Sequence, residues 1–176
     1  IDITGREVII LGAGGASRAV TFMCATTGAD RVYLLNRSVD KAEQLADDVN
    51  TYVGRKCVTA MPLDGYRKLK GYKDGSGYKY IVIQTTSKGL YPDVDGTPVE
   101  DEAFYDMVEA AADIIFNPSE TRFMRMVMEH GAKAYNGLEM LLYQGVAAFE
   151  LWNDLEVPDE MCRELYELMK KEMGQK

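Results

Sequence analysis

Short apolar runs recur along this chain, each bounded by polar residues or glycine. They fall at residues 7–11 (EVIIL), 31–35 (RVYLL), 57–61 (CVTAM), 80–84 (YIVIQ) and 113–116 (DIIF), with a weaker run at 133–135 (KAY). Their apolar positions are consecutive rather than alternate, and many are β-branched. That pattern predicts strands buried on both faces, as in a parallel sheet covered by helices. Between the runs the period changes. After Ser38, Val39, Ala42, Leu45, Ala46 and Val49 recur at three- and four-residue spacing. Phe123, Met124, Val127 and Met128 do so before His130-Gly131, and Leu138, Leu141, Leu142, Phe149 and Trp152 mark another stripe. Each spacing lines one face of a helix with apolar side chains. A last stripe, Cys162, Leu165, Tyr166, Met169 and Met173, opens on Pro158-Asp159-Glu160 and closes on Lys170-Lys171, the charge order a helix dipole favours. Strand and helix alternate, so the predicted class is α/β: a doubly wound, mostly parallel sheet with helices on both faces. Residues 71–77 read as a flexible surface turn and 91–97 as a longer loop. All five prolines fall in loops or at helix starts.

The length, 176 residues, suits one domain with a real core, and 47% hydrophobic with 27% charged residues is ordinary globular composition. No apolar run approaches the ~18 residues of a membrane span. Cys24, Cys57 and Cys162 lie far apart without metal-ligand spacing, which argues against a disulfide scaffold or zinc module and for a reducing cytoplasm. A net charge of −8 speaks against a broad nucleic-acid surface. The charge is unevenly spread. Residues 1–90 carry 13 Lys and Arg against 9 Asp and Glu, whereas residues 91–176 carry 7 against 19. Either the second half is a set of solvated acidic helices, or the first half handles an anionic ligand.

Chemistry concentrates at two strand ends. Leu11 is followed at once by Gly12-Ala13-Gly14-Gly15-Ala16-Ser17-Arg18 and a helical stretch to Thr27. Strand, glycine turn and helix in that order is the context of a Rossmann-like dinucleotide fingerprint. Gly12 permits the tight turn, Gly14 lets a pyrophosphate approach the backbone, and the free amides of the first helical turn hold phosphate. Ser17 stands where a third glycine or alanine is usual, so the fingerprint is relaxed. At the end of the second strand stand Asn36-Arg37-Ser38, with Lys41 one turn on, where an NAD site places a carboxylate for the ribose 2′-hydroxyl. Two cations there suit a 2′-phosphate, with Ser38 capping the helix. A net gain of ~1–2 kcal/mol from such a pair favours NADP(H) over NAD(H) roughly tenfold or more. Thr85, Thr86 and Gly89 follow the fourth strand, where they either line a ribose or nicotinamide or form a polar turn.

Four blocks carry a family resemblance: GAGGASRA after strand one, NRSVDKA after strand two, QTTSKGL after strand four, and NGLEMLLYQGVAAFELW near the end. Together they resemble the C-terminal, NADP-binding half of the shikimate and quinate dehydrogenases. The resemblance runs from about Gly5 to Trp152, and the last block is the most specific. It implies NADPH-dependent, reversible reduction of 3-dehydroshikimate to shikimate in aromatic amino acid biosynthesis. By the family pattern Gly12, Ala13, Gly14, Gly15 and Ala16 bind the pyrophosphate region. Asn36, Arg37, Ser38 and Lys41 bind the 2′-phosphate side. Ile114, Gly137 and Met140 lie near the nicotinamide, and Gln144 reaches the substrate. Phe116 holds a position usually filled by a substrate-binding tyrosine, which leaves the preference between shikimate and quinate open. Locally, Asn136 and Glu139 have capping-box spacing, and Gly137, Met140, Leu141 and Gln144 share a helix face.

No proton donor for a carbonyl reduction stands out. His130 reads as a helix-end residue, and Lys88 has no marked carboxylate partner. In the resembled family a catalytic Lys–Asp pair and most substrate contacts come from an N-terminal domain. The expectation is therefore a fragment that binds NADP without turning over alone. Residues 1–152 form the cofactor domain, and 153–176 a helix packing back toward a substrate domain. Neither metal nor membrane nor nucleic acid is expected as a partner, and a homodimer is allowed for. The NADP domain of a glutamyl-tRNA reductase, a stand-alone NADP-binding module and an S-adenosylmethionine methyltransferase are the competing readings. The residue 137–144 block opposes the first, and Arg37, of the wrong sign, the last.

Overall fold

In the computed structural model, which describes residues 1–174, six strands form one sheet. In chain order the elements are β1 (Glu7–Leu11), α1 (Gly15–Thr26), β2 (Arg31–Asn36), α2 (Val39–Val53), β3 (Val58–Pro62), a 3₁₀ turn (Leu63–Lys68) and β4 (Tyr80–Gln84). Then come α3 (Glu102–Tyr105), β5 (Val108–Asp113), α4 (Arg122–Glu129), β6 (Lys133–Tyr135), α5 (Leu138–Asn153) and α6 (Asp159–Glu172). The sheet order is β3-β2-β1-β4-β5-β6 and every pairing is parallel. This is the doubly wound Rossmann-like arrangement, with its reversal of direction between β1 and β4.

Consecutive apolar residues are needed because both faces are covered. Val8 and Ile10 of β1 pack with Val20 and Cys24 of α1 and with Leu45 and Val49 of α2. Ile9 and Leu11 face the other way, among Tyr66, Tyr80, Phe104, Phe123 and Val127. All four strand residues are fully buried. The second layer is thinner in helix and richer in rings: α3 has only four residues, and Phe104 and Tyr105 fill space with their side chains. Along α5 only Leu138 and Leu142 are buried, and along α6 only Cys162.

One strand differs from expectation. β5 is Val108–Asp113, not the apolar run 113–116. Its centre is Ala110, Ala111 and Ala112, short side chains that fit beneath neighbours but carry little strand signal. Ile114, Ile115 and Phe116 therefore lie beyond the C-terminal end of β5, and Asp113 ends the strand instead of starting it. The 3₁₀ turn and α3 were not foreshadowed by any periodic stripe. The remaining strands and helices fall within one or two residues of the predicted runs, except α2, which continues to Val53, four residues past the last residue of its stripe.

Candidate dinucleotide-binding site

The C-terminal ends of β1 and β4 stand side by side where the winding reverses. Gly12 opens the turn there. Its amide donates to the Leu35 carbonyl at 2.8 Å. Its φ is +113°, and a Cβ on it would stand 2.7 Å from Thr85 Oγ1. Both the backbone and the space require glycine. Ser17 is fully buried, and its hydroxyl donates to the Gly12 carbonyl at 2.7 Å. The serine that relaxes the fingerprint is thus a brace for the turn, a role that its position alone did not disclose. Gly14 is the N-cap of α1 without a side-chain cap, and the first turn carries no acidic residue. A Cβ on Gly14 or Gly15 would meet nothing within 4 Å. The helix start, with Ala16 half-buried, is open to an outside anion.

At the tip of β2, Asn36 Nδ2 donates to the Ser38 carbonyl at 3.0 Å. Ser38 holds the N-cap position of α2 but its side chain makes no capping bond. This corrects the expected cap: the helix start is complemented by the charge of Asp40 instead. Arg37 and Lys41 are both exposed, and among the described residues neither makes a hydrogen bond or ion pair. They do not share a cavity. Arg37 lines a cavity of about 320 Å³ with Gly12, Ala13, Gly14, Asn36, Thr85, Thr86 and Lys88. Lys41 lines a neighbouring hollow of about 390 Å³ with Ala13, Gly14, Gly15, Arg18 and Asp48. The two cations flank the glycine turn from two sides. Arg18, on α1, is held by Asp48 at 2.7 Å.

Thr85 is buried, and its amide and hydroxyl both donate to the Leu11 carbonyl, at 2.9 and 2.7 Å. Its single hydroxyl proton locks β4 to β1. Thr86 accepts from the Lys88 amide at 3.2 Å. Lys88 does have a carboxylate partner: its Nζ lies 2.6 Å from Asp93 Oδ2 across the following turn, which corrects the expectation. Gln84 Nε2 reaches the Lys88 and Thr86 carbonyls at 3.0 and 3.3 Å, and its Oε1 accepts from the Thr86 amide.

Beyond β5 the Ile114 amide donates to the Gln84 carbonyl at 3.1 Å, and Gly137 N–H to the Ile115 carbonyl at 3.0 Å. A Cβ on Gly137 would collide with the Ile114 carbonyl, so Ile114 and Gly137 are brought into direct contact. Gly137 is itself the N-cap of α5. Asn136 therefore sits one residue before the cap, accepting from the Leu138 amide at 3.1 Å. Glu139 falls at the second helical position, not the third that a capping box needs. Met140 and Gln144 are exposed on α5, and Phe116 is half-buried. Ile114, Phe116, Gly137, Met140 and Gln144 do not line the cavity of Gly12 and Arg37. Asp113, absent from the sequence reading as a site residue, is buried beneath this region and accepts from Ile115 N–H (3.0 Å), Thr121 Oγ1 (2.7 Å) and Gln84 Nε2 (3.4 Å). Burial pushes its carboxyl up to about 6. His130 caps the C-terminus of α4, as expected, with Nδ1 2.8 Å from Asp106.

Two family models match: Shikimate / quinate 5-dehydrogenase over residues 1–65, and Shikimate 5′-dehydrogenase C-terminal domain over residues 137–165. A shikimate dehydrogenase (NADP(+)) of Methanopyrus kandleri is 39% identical over 165 residues, which are 93% of this chain and 54% of that protein. A shikimate dehydrogenase solved in complex with NADP+ has a TM-score of 0.76 at 32% identity, over 93% of this chain and 54% of that one. Quinate dehydrogenase from Corynebacterium glutamicum, solved in complex with NAD, also has a TM-score of 0.76, at 27% identity over 93% of this chain and 55% of that one. The chain thus spans about half the length of the relatives it matches. With its sheet order, its glycine turn and both ends of the chain matched, it belongs to the shikimate and quinate dehydrogenase family.

Proposed function

We propose that residues 1–152 are the NADP(H)-binding domain of a shikimate dehydrogenase acting in aromatic amino acid biosynthesis. The observation that carries the coenzyme choice is Arg37: an exposed guanidinium without a partner among the described residues, in one cavity with Gly12 and Asn36. Solved relatives hold NADP+ in one case and NAD in another, so the choice rests on this chain's own charge. The residues present fit the coenzyme. An uncapped helix start without acidic residues suits a pyrophosphate, and an unpaired arginine suits a 2′-phosphate. Gly12 to Ala16 would hold the pyrophosphate, and Asn36, Arg37 and Ser38 the 2′-phosphate. Lys41 would sit on the glycine-turn side, and Thr85 and Thr86 along the cleft wall. Ile114, Gly137 and Met140 would stand at the nicotinamide end. When bound, the coenzyme supplies a hydride equivalent for carbonyl reduction.

Proton transfer and most substrate contacts belong, on this reading, to a substrate domain outside residues 1–176, with Gln144 and the region of Phe116 facing it. Support comes from α5 and α6. They enclose an apolar hollow of about 380 Å³ between Leu142, Phe149, Met161 and Leu165, and they leave Phe149, Leu151 and Trp152 exposed. Residues 153–176, of which 175 and 176 lie outside the described residues, would pack back against that domain. Phe116 in the tyrosine position keeps quinate as a second substrate class.

Calorimetric titration tests the coenzyme assignment. NADPH binds at least about tenfold more tightly than NADH, and Arg37→Ala removes that preference while leaving NADH affinity nearly unchanged. Equal affinities in the unaltered chain, or matched losses in the variant, contradict it.

A further inference from the structure

Among the described residues Asp113 is the buried carboxylate, and coenzyme binding does not account for it. It is 1% exposed, at the C-terminal end of β5. Each of its bonds goes to a neutral donor, and each donor belongs to a different part of the cleft. Ile115 N–H belongs to the segment carrying Ile114 and Phe116, and its carbonyl in turn accepts from Gly137 at the start of α5. Gln84 Nε2 also holds the Thr86 and Lys88 carbonyls, and thus the wall of the cavity. Thr121 Oγ1 is the cap of α4, accepting from the Met124 amide at 3.2 Å. A buried anion facing only neutral donors is costly to keep, and a neutral residue of the same shape would pack there with less penalty. What the charge supplies is a set of strong, directed acceptors for donors that come from separate segments.

We propose that Asp113 is a positioning residue of the coenzyme cleft, tying the segments of Thr85–Thr86, Ile114 and Gly137 into one rigid wall at the nicotinamide end. This rests on the coenzyme reading above and adds to it a division of labour. The adenosine end is held by Arg37 and the glycine turn, while the nicotinamide end is held in place from beneath by Asp113. Loosening the node costs affinity only for a ligand long enough to reach that end.

The test compares NADPH with 2′,5′-ADP, which carries the adenosine half alone, on the full chain and on Asp113→Asn. The variant binds 2′,5′-ADP as the unaltered chain does, binds NADPH about tenfold more weakly, and melts no lower at neutral pH. Gln84→Met, which removes the bond to Asp113 together with the bonds of Gln84 to Thr86 and Lys88 and leaves the carboxylate in place, shows the same split and serves if the first variant does not fold. Unchanged NADPH affinity in both variants overturns the proposal, as does an equal loss for both ligands, the mark of a general structural role. An unaltered chain that binds neither ligand overturns the coenzyme reading itself, and the proposal with it. That result is distinct from one in which chain and variants bind both ligands alike.

Discussion

At Gly12 a single hydrogen atom in place of a side chain serves two ends. Its φ of +113° lies where side chains strain the backbone, and the Thr85 hydroxyl occupies the space a methyl group would take. Gly12→Ala costs about 2 kcal/mol or more of stability in urea unfolding, and a fully stable variant would mean that the turn relaxes freely. Lys41 separates from Arg37 in the same way that their cavities do. Lys41→Ala weakens NADPH and NADH alike, because it flanks the glycine turn, whereas a loss confined to NADPH would place it on the 2′-phosphate. Asp113 has a pH signature. Its carboxyl is raised from 3.8 to about 6 by burial, partly offset by Ile115, Thr121 and Gln84. Of the charged side chains on the elements packed around it, Lys88 pairs with Asp93 and Arg122 with Glu100 at 2.6 Å, while Arg125, Glu129 and Glu139 are exposed. Lys133 on β6 is exposed. A raised folded-state pKa means that the folded chain binds the proton more tightly, so stability falls as pH climbs from about 4 to about 6. The full difference is on the order of 3 kcal/mol. Relative to Asp113→Asn, the unaltered chain loses stability across that window and stays level above it. A constant gap in melting temperature from pH 4 to 7 would contradict this.

Among the elements, β1 and β4 were legible because both of their faces are buried, so the apolar run is unbroken. β5 was not, because Ala110 to Ala112 pack well while resembling any helix or loop, and the greasier DIIF that follows drew the prediction past the strand's end. That shift matters for the site. It turns Asp113 from a strand opener into the last residue of β5, at the cleft end of the sheet. The glycine turn and Arg37 could be read from local order alone. The Ser17 brace could not, nor the Lys88–Asp93 pair, nor the node of Gln84, Asp113 and Thr121, because each depends on chain segments meeting in space. Thr121 serves two elements at once, so Thr121→Ala costs about 2 kcal/mol through the lost cap of α4 and the lost bond to Asp113. Thr121→Ser restores most of it. A loss below ~0.5 kcal/mol in denaturant titration would show that the hydroxyl carries neither bond.

For the molecule as a whole, winding, charge and covering layers point to one edge of the sheet. The reversal between β1 and β4 opens a crevice at the strands' C-terminal ends, and Arg37 and Lys41, without an ion pair among the described residues, stand beside it in a chain of net charge −8. An apolar hollow lies between α5 and α6. No helix among the described residues is long and apolar enough to cross a membrane. A crystal structure of the chain with 2′,5′-ADP measures directly where the extra phosphate of the coenzyme goes. The 2′-phosphate is expected against the Arg37 guanidinium and the 5′-phosphate on the first-turn amides of α1. Density for the ligand on another face, or a 2′-phosphate turned away from Arg37, would contradict it.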